Sequence, residues 1–341
     1  MKPQNLFFGV AAVCLAAGPA LAQMELKLAD TMPAGHTIHR AVTDMFIEDV
    51  ATATGGEVTL RHYPGGQLGK GADSLRLIQS GLQDIGLISP SHVSDKMPLT
   101  AVGELPGLWG TACEAALAMW DMSREGGILH EKEYKPNGVR ALVFFPLPGY
   151  QLMVSSDREF ETLADAAGLK LRTTGGALEL IVQSLGATPV RMTAPDMYES
   201  MSRGTIDGAL FSYQAATSYK LDDLIKISTE GQNLGTVVNA YFISEQRWNS
   251  LSQDVRTVIA EAGERATKEG CKGLDKAELD ARAQLEAAGT QIISLSEEDQ
   301  GAIDETNARV QQEWAEKLDQ AGRPGTEVLE AFKQALGAPS N

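Results

Sequence analysis

The sequence predicts an α/β protein of two lobes with a helical C-terminal third. Three observations carry that expectation. Short apolar runs alternate with helix-period segments in the first half of the chain, the same alternation starts afresh near Ala141, and an almost uninterrupted helical pattern runs on from Ser252. Strands alternating with helices imply βαβ units and largely parallel sheets. At 341 residues, 43% apolar and 22% charged, the chain is long enough for two domains or one large one.

The first 22 residues are set apart from the fold. Lys2 precedes an apolar run over 6–17, and Pro19-Ala20-Leu21-Ala22 supplies the small-x-small pattern that a signal peptidase reads. Residues 1–22 are therefore expected to be a cleaved secretory leader, and no other stretch approaches 18 apolar residues. In the first unit, Leu26-Lys27-Leu28 alternates as a strand, and Ile38, Val42, Met45, Phe46 and Val50 share one face of a helix that ends at Gly55-Gly56. Residues 58–62 read as a second strand. A glycine-rich loop, Pro64-Gly65-Gly66-Gln67-Leu68-Gly69, leads into a helix bearing Leu75, Ile78 and Leu82, and residues 84–88 form a short buried strand.

The second unit reads as strands over 141–145, 151–155, 169–173, about 187–190 and 206–211. Leu178, Ile181, Val182 and Leu185 lie on one helix, and Thr193-Ala194-Pro195-Asp196 starts another with a Thr cap. From Val255 to Ala288 the composition is helical, though Gly263, Gly270 and Gly273 weaken the case for a single unbroken helix. Ser296-x-x-Asp299 caps a helix expected to run to Gly322, and residues 326–336 make the last. Beyond the leader, Cys113 and Cys271 fit a disulfide, which export permits, and two buried thiols equally.

Charge and motifs narrow the function. Twenty-nine basic against 45 acidic residues give a net −16, which argues against a nucleic-acid groove. The sequence holds no G-x-S-x-G, H-E-x-x-H or G-x-x-x-x-G-K-[ST] pattern, and the loop at Gly65–Gly69 reads as a chain turn rather than a phosphate cradle. His36 and His39 are three apart with no carboxylate or thiol nearby in sequence to complete a metal set, so neither a metal nor a cofactor is expected. In Leu169-Lys170-Leu171-Arg172-Thr173-Thr174-Gly175-Gly176, Arg172 ends a strand just before a loop and helix. Strand ends are where α/β sheets bind ligands, and a guanidinium fork matches a carboxylate.

Residues 169–173, Leu185-Gly186-Ala187-Thr188-Pro189-Val190, Tyr198 and Gly204-Thr205-Ile206-Asp207-Gly208 together resemble the DctP-type solute-binding receptors of TRAP (tripartite ATP-independent periplasmic) transporters. So do His62-Tyr63-Pro64-Gly65-Gly66-Gln67-Leu68-Gly69, Leu105-Pro106-Gly107-Leu108-Trp109 and Arg247-Trp248-Asn249-Ser250-Leu251. The resemblance implies a two-lobed periplasmic binding protein fold with a long helix crossing both lobes. Lobe I is expected over 24–146 plus about 236–275, and lobe II over 147–235 plus about 276–341. It also implies a periplasmic protein that closes on a small organic acid and passes it to the small and large membrane subunits of an ion-driven permease. No nucleic acid and no stable membrane insertion are implied.

On that pattern Arg172 is the residue that holds the ligand carboxylate. Where many dicarboxylate and sialic-acid receptors carry a polar Glu-Asn-Pro run, this chain has Ala209-Leu210-Phe211-Ser212-Tyr213, and a second family Arg is replaced by Gln151 beside Tyr150. The implied ligand has one carboxylate and an apolar or aromatic body against Phe211, Tyr213 or Tyr150. His36, Asp73, Ser89 and Asn233 are further candidates for the cleft. The competing readings are a secreted lyase or hydrolase using His36 or Asp73 as its acid–base group, and a subunit presenting its ligand to a membrane sensor.

Overall fold

The computed structural model describes residues 24–155 and 160–337; the expected leader lies outside them. Two sheets form, each at the centre of its own lobe. The first contains β1 (Met24–Ala29), β2 (Val58–Tyr63), β3 (Ile85–Ile88), β4 (Val139–Phe144) and β10 (Ala240–Ser244), in the order β2-β1-β3-β10-β4. The second contains β5 (Gln151–Val154), β6 (Lys170–Thr173), β7 (Thr188–Arg191), β8 (Gly208–Phe211), β9 (Ile227–Glu230) and β11 (Gln291–Ser294), in the order β11-β9-β5-β8-β6-β7.

Neither sheet is wholly parallel. β10 runs antiparallel to β3 and β4, and β5 runs antiparallel to β8 and β9. The cause is the chain path: residues 145–150 carry it from β4 into the second lobe, and residues 231–239 return it to β10. These two crossings pair with each other. The Phe145 amide donates to the Asn239 carbonyl at 2.8 Å, Leu147 to Val237 at 3.1 Å and Tyr150 to Gly235 at 2.8 Å.

Helices α1 (Asp44–Ala53), α2 (Ser74–Gln79) and α3 (Ala112–Ser123) belong to the first lobe. α4 (Ala177–Ser184), α5 (Met197–Ser202) and α6 (Tyr213–Ser218) belong to the second, and the short α7 (Glu245–Ser250) follows β10. The expected cap at Thr193 takes another form: its hydroxyl donates to the Asp196 carboxylate at 2.5 Å, and a short 3-10 turn precedes α5.

α8 (Gln253–Ala287) is one unbroken helix of 35 residues, about 52 Å long at 1.5 Å per residue. It packs on α1, α3 and β4 in the first lobe and on α6 in the second. The glycines that weakened the sequence reading are where it packs most closely. A Cβ at Gly263 would lie 2.0 Å from the Leu142 carbonyl oxygen, and one at Gly270 would lie 2.8 Å from Val42 Cγ2. Tertiary contact thus overrides helix propensity at these positions. Cys113, at the start of α3, is disulfide-bonded to Cys271 of α8, which settles the choice the sequence left open.

α9 (Glu297–Gln320) begins at Ser296, whose hydroxyl accepts from the Asp299 amide at 3.1 Å. It packs on α4, while its Gln311 side chain donates to the Pro106 carbonyl at 2.8 Å. α10 (Gly325–Gly337) buries Val328, Leu329 and Phe332 and packs on α9 and α3. The tail beyond residue 276 was expected with the second lobe, yet α10 lies on the first, because its apolar face meets α3.

Candidate functional site

The C-terminal ends of the parallel strands in both sheets face one another and enclose a cavity of about 730 Å³. The loops after β1 and β2 contribute Thr31, Met32, His36 and residues around Gly65–Gly66 and Gly69–Ala72. The segment after β3 brings Ser89 and His92. From the second lobe come Arg172 and Thr174 after β6, Arg191 to Asp196 after β7, Phe211 at the end of β8, and Ala215 and Tyr219 on and after α6. Leu147 and Tyr150 from one crossing, and Val237 and Asn239 from the other, line the hinge side. This is the position at which open α/β sheets bind ligands. Gly65 and Gly66, at φ 64° and 74°, turn the chain tightly enough for their amides to reach the Met32 and Asp30 carbonyls at 2.8 Å each.

Arg172 is 3% exposed. Its Nε donates to the Met192 carbonyl at 3.2 Å, its guanidinium carbon stands 5.3 Å from the Phe211 ring centroid, and Nη1 has no hydrogen-bond partner among the described residues. The nearby Thr174 hydroxyl is also buried without a hydrogen-bond partner among the described residues. Burial pulls the guanidinium pKa below its ordinary value, while Tyr150 and Tyr219 work the other way. Burial raises the Tyr150 phenol and pushes Tyr219 up to about 12 against the pull of Arg172, so both stay neutral hydroxyls at ordinary pH. Phe211 meets Tyr150 edge-on at 5.6 Å and Tyr219 at 6.1 Å, which gives an aromatic wall beside the cation.

The charge balance of the lining is opposite to that of the molecule. Lys70, Arg172 and Arg191 line the cavity against one acid, Asp196, in a chain of net −16. His92 is held down to about 4 by burial and then by Arg172 and Arg191; His36 is held near 4 by burial and by His39. Both imidazoles are therefore neutral at neutral pH. Asn239 accepts from the Ser89 hydroxyl at 2.6 Å through its Oδ1, and its amide nitrogen makes no hydrogen bond among the described residues. The lobes touch across the opening. Thr37 and Ser218 hydroxyls are 3.0 Å apart, Arg191 donates to the Ser91 carbonyl at 3.3 Å, and the His36 and Tyr219 rings meet edge-on at 5.4 Å.

Of the residues expected at the site, Arg172, Phe211, Tyr150, His36 and Ser89 line the cavity; Gln151, Tyr213, Asp73 and Asn233 do not. Gln151 spends its amide on the Gln232 carbonyl at 2.6 Å and accepts from Thr229 and the Gln232 amide. The Tyr213 hydroxyl donates to the Thr229 carbonyl. Asn233 donates to the Trp109 carbonyl, and Asp73 pairs with Arg76 at 3.1 Å. Tyr219, His92, Lys70 and Arg191 were missed. The strand-end reasoning used for Arg172 would have found Arg191, which ends β7 opposite Thr173. Asp30 joins His39 and His62 in a compact cluster, since parallel pairing of Leu28 with His62 sets the strand ends side by side.

Residues 28–318 match the family model described as DctP, the bacterial extracellular solute-binding protein, family 7. The chain belongs to this family. Among curated members it is 27% identical over 289 residues to the C4-dicarboxylate-binding periplasmic protein DctP of Rhodobacter capsulatus, covering 83% of this chain and 82% of that protein. A crystal structure of a TRAP periplasmic solute-binding protein from Bordetella bronchiseptica with bound (R)- and (S)-mandelate matches with a TM-score of 0.82 and 26% identity. That match covers 92% of this chain and 99% of the other. A TRAP solute-binding protein from Rhodoferax ferrireducens, in complex with copurified benzoate, shares the fold at a TM-score of 0.84 and 22% identity, over 92% of this chain and 98% of that one. Family 7 receptors are extracytoplasmic, and no described helix of this one is long and apolar enough to cross a membrane.

Proposed function

We propose that this TRAP-type receptor captures a small organic acid with one carboxylate and an aromatic body, and delivers it to the small and large subunits of a membrane permease. Export by removal of residues 1–22 places it in the periplasm, and the bound acid leaves unchanged. The observation that carries the ligand class is the buried Arg172 guanidinium, whose Nη1 has no partner among the described residues, in a cavity walled by Phe211, Tyr150 and Tyr219. A carboxylate there gains charge-assisted hydrogen bonds, roughly 1.5–3 kcal/mol each, and relieves a buried cation of its unpaired donor. The Tyr150 and Tyr219 hydroxyls and the Asn239 amide add neutral donors.

The ring would lie against Phe211, since an aromatic body buries large area beside a face already occupied by the cation. The mandelate complex of the Bordetella relative supports this class. The name of the Rhodobacter relative points instead to a dicarboxylate. Against that, Arg191 is exposed at the rim and already donates to the Ser91 carbonyl.

A thermal-shift panel of mandelate, benzoate, succinate and benzamide tests the reading, with the added acid recovered afterwards by chromatography. The aromatic acids should raise the melting point by a few degrees at about 100 times their dissociation constant and be recovered unaltered. Succinate and the neutral benzamide should not. A shift with succinate alone, an equal shift with benzamide, or conversion of the acid would overturn it.

A further inference from the structure

Asp30, His39 and His62 form a second polar centre behind the cavity, and none of them lines it. Asp30 follows β1, His62 lies in β2, and His39 opens the helical turn that leads into α1. Both rings offer the same nitrogen to the same oxygen. His62 Nε2 is 2.7 Å from Asp30 Oδ2, and His39 Nε2 is 3.1 Å from it. The three ligand atoms all lie within 4.8 Å of one another.

We propose that these three residues bind a divalent transition-metal cation of the zinc class. Two imidazoles and a carboxylate, with a fourth position for water, suit such an ion. Calcium and magnesium take oxygen ligands and do not fit. Around a tetrahedral ion with bonds of 2.0–2.1 Å, neighbouring ligand atoms stand about 3.3 Å apart. The observed 2.7 and 3.1 Å must widen by a few tenths of an ångström to admit it, and the two ring nitrogens, within 4.8 Å of each other, must close to about the same distance.

The surroundings already orient the ligands. The Met32 amide donates to Asp30 Oδ1 at 2.9 Å; His39 Nε2 lies 3.3 Å from that oxygen too, and Oδ2 faces both rings. The Tyr241 hydroxyl, 2.8 Å from Thr43 Oγ1, stands 3.1 Å from Oδ2. Such outer contacts fix ligand geometry in metal sites. The Asp30 side chain is fully buried and that of His62 is 19% exposed, which gives the ion its route in.

The test is a calorimetric titration of chelator-stripped protein with zinc chloride, followed by cobalt chloride with visible absorption spectra. The expected result is one saturable site per chain and the spectrum of four-coordinate cobalt, neither displaced by excess magnesium or calcium. His39→Gln with His62→Gln should weaken zinc binding by more than about 100-fold and abolish the cobalt spectrum. His62→Gln alone, at the most exposed of the three, should do the same in a protein whose melting curve shows it folded. Absence of saturable binding to the wild type at millimolar zinc would overturn the proposal. So would equal binding by the variants, which would place the ion on surface carboxylates.

Discussion

Arg172 is 3% exposed with one nitrogen unpartnered, so the ligand-free receptor carries an unfavourable burial that its ligand relieves. Arg172→Met should therefore leave the ligand-free melting point unchanged or raise it, while removing the shift produced by acids; calorimetry with and without ligand measures both. A fall of several degrees in the ligand-free variant would show that the guanidinium is structural. The place of Arg172 in the cavity was legible in part from a local signal, a cation ending an apolar strand before a glycine loop; that signal fits a surface ion pair equally, and the family resemblance decided between the two. Gln151, Tyr213 and Asn233 misled for the opposite reason. Each is polar and close to the site in sequence, but its hydrogen bonds go to partners such as Gln232, Thr229 and Trp109, which no local pattern reveals. Tyr219 reaches the cavity from just beyond α6, a matter of long-range packing alone.

At the level of elements, α8 shows how packing decides what propensity leaves open. Gly263→Ala improves intrinsic helix propensity but sets a methyl 2.0 Å from the Leu142 carbonyl, so we expect destabilisation of about 1–3 kcal/mol by denaturant unfolding. Gly301→Ala, in α9 with nothing within 4 Å, should stabilise by up to about 1 kcal/mol, and serves as the control. The sequence located both long helices from composition and caps, and it hesitated at the glycines because their partners, β4 and the first helix, are distant in the chain. A second element-level expectation concerns Glu104, in the turn Thr100–Glu104, which accepts from the Val238 amide of the return crossing at 3.3 Å. Burial pushes its carboxyl from the ordinary 4.5 up to about 8, against the smaller pull of that hydrogen bond. Through that window the native state keeps a proton that the unfolded chain has lost, so the group's contribution to stability falls as pH rises from 4.5 to 8. Glu104→Gln, which mimics the protonated form, should match the wild type near pH 5 and exceed it by on the order of 4 kcal/mol at pH 8–9. Parallel melting curves of the two proteins across pH would test this; a constant difference would contradict it.

Over the whole molecule, two sheets, paired crossings and α8 hold the lobes to either side of one cavity, and the disulfide fastens α3 to α8 across 158 residues of sequence. Replacing both cysteines by Ala should lower the unfolding free energy by about 2–5 kcal/mol, read by calorimetry. The two-lobe plan was legible because βαβ periodicity repeats before and after Ala141. The antiparallel β5 and β10, and the seat of α10 on α3, were not, since each follows from a chain crossing or a tertiary contact rather than from local pattern. The lobes matter to function because they turn a strand-end Arg into a buried one, and burial makes the ion pair selective for a ligand that fits. The most direct measurement is an isothermal titration of ligand-free receptor and of Arg172→Ala with benzoate or mandelate. We expect one site per chain in the wild type and a loss of about 10- to 150-fold in the variant, the equivalent of one charge-assisted hydrogen bond of roughly 1.5–3 kcal/mol. Equal affinity in the two proteins would contradict the account.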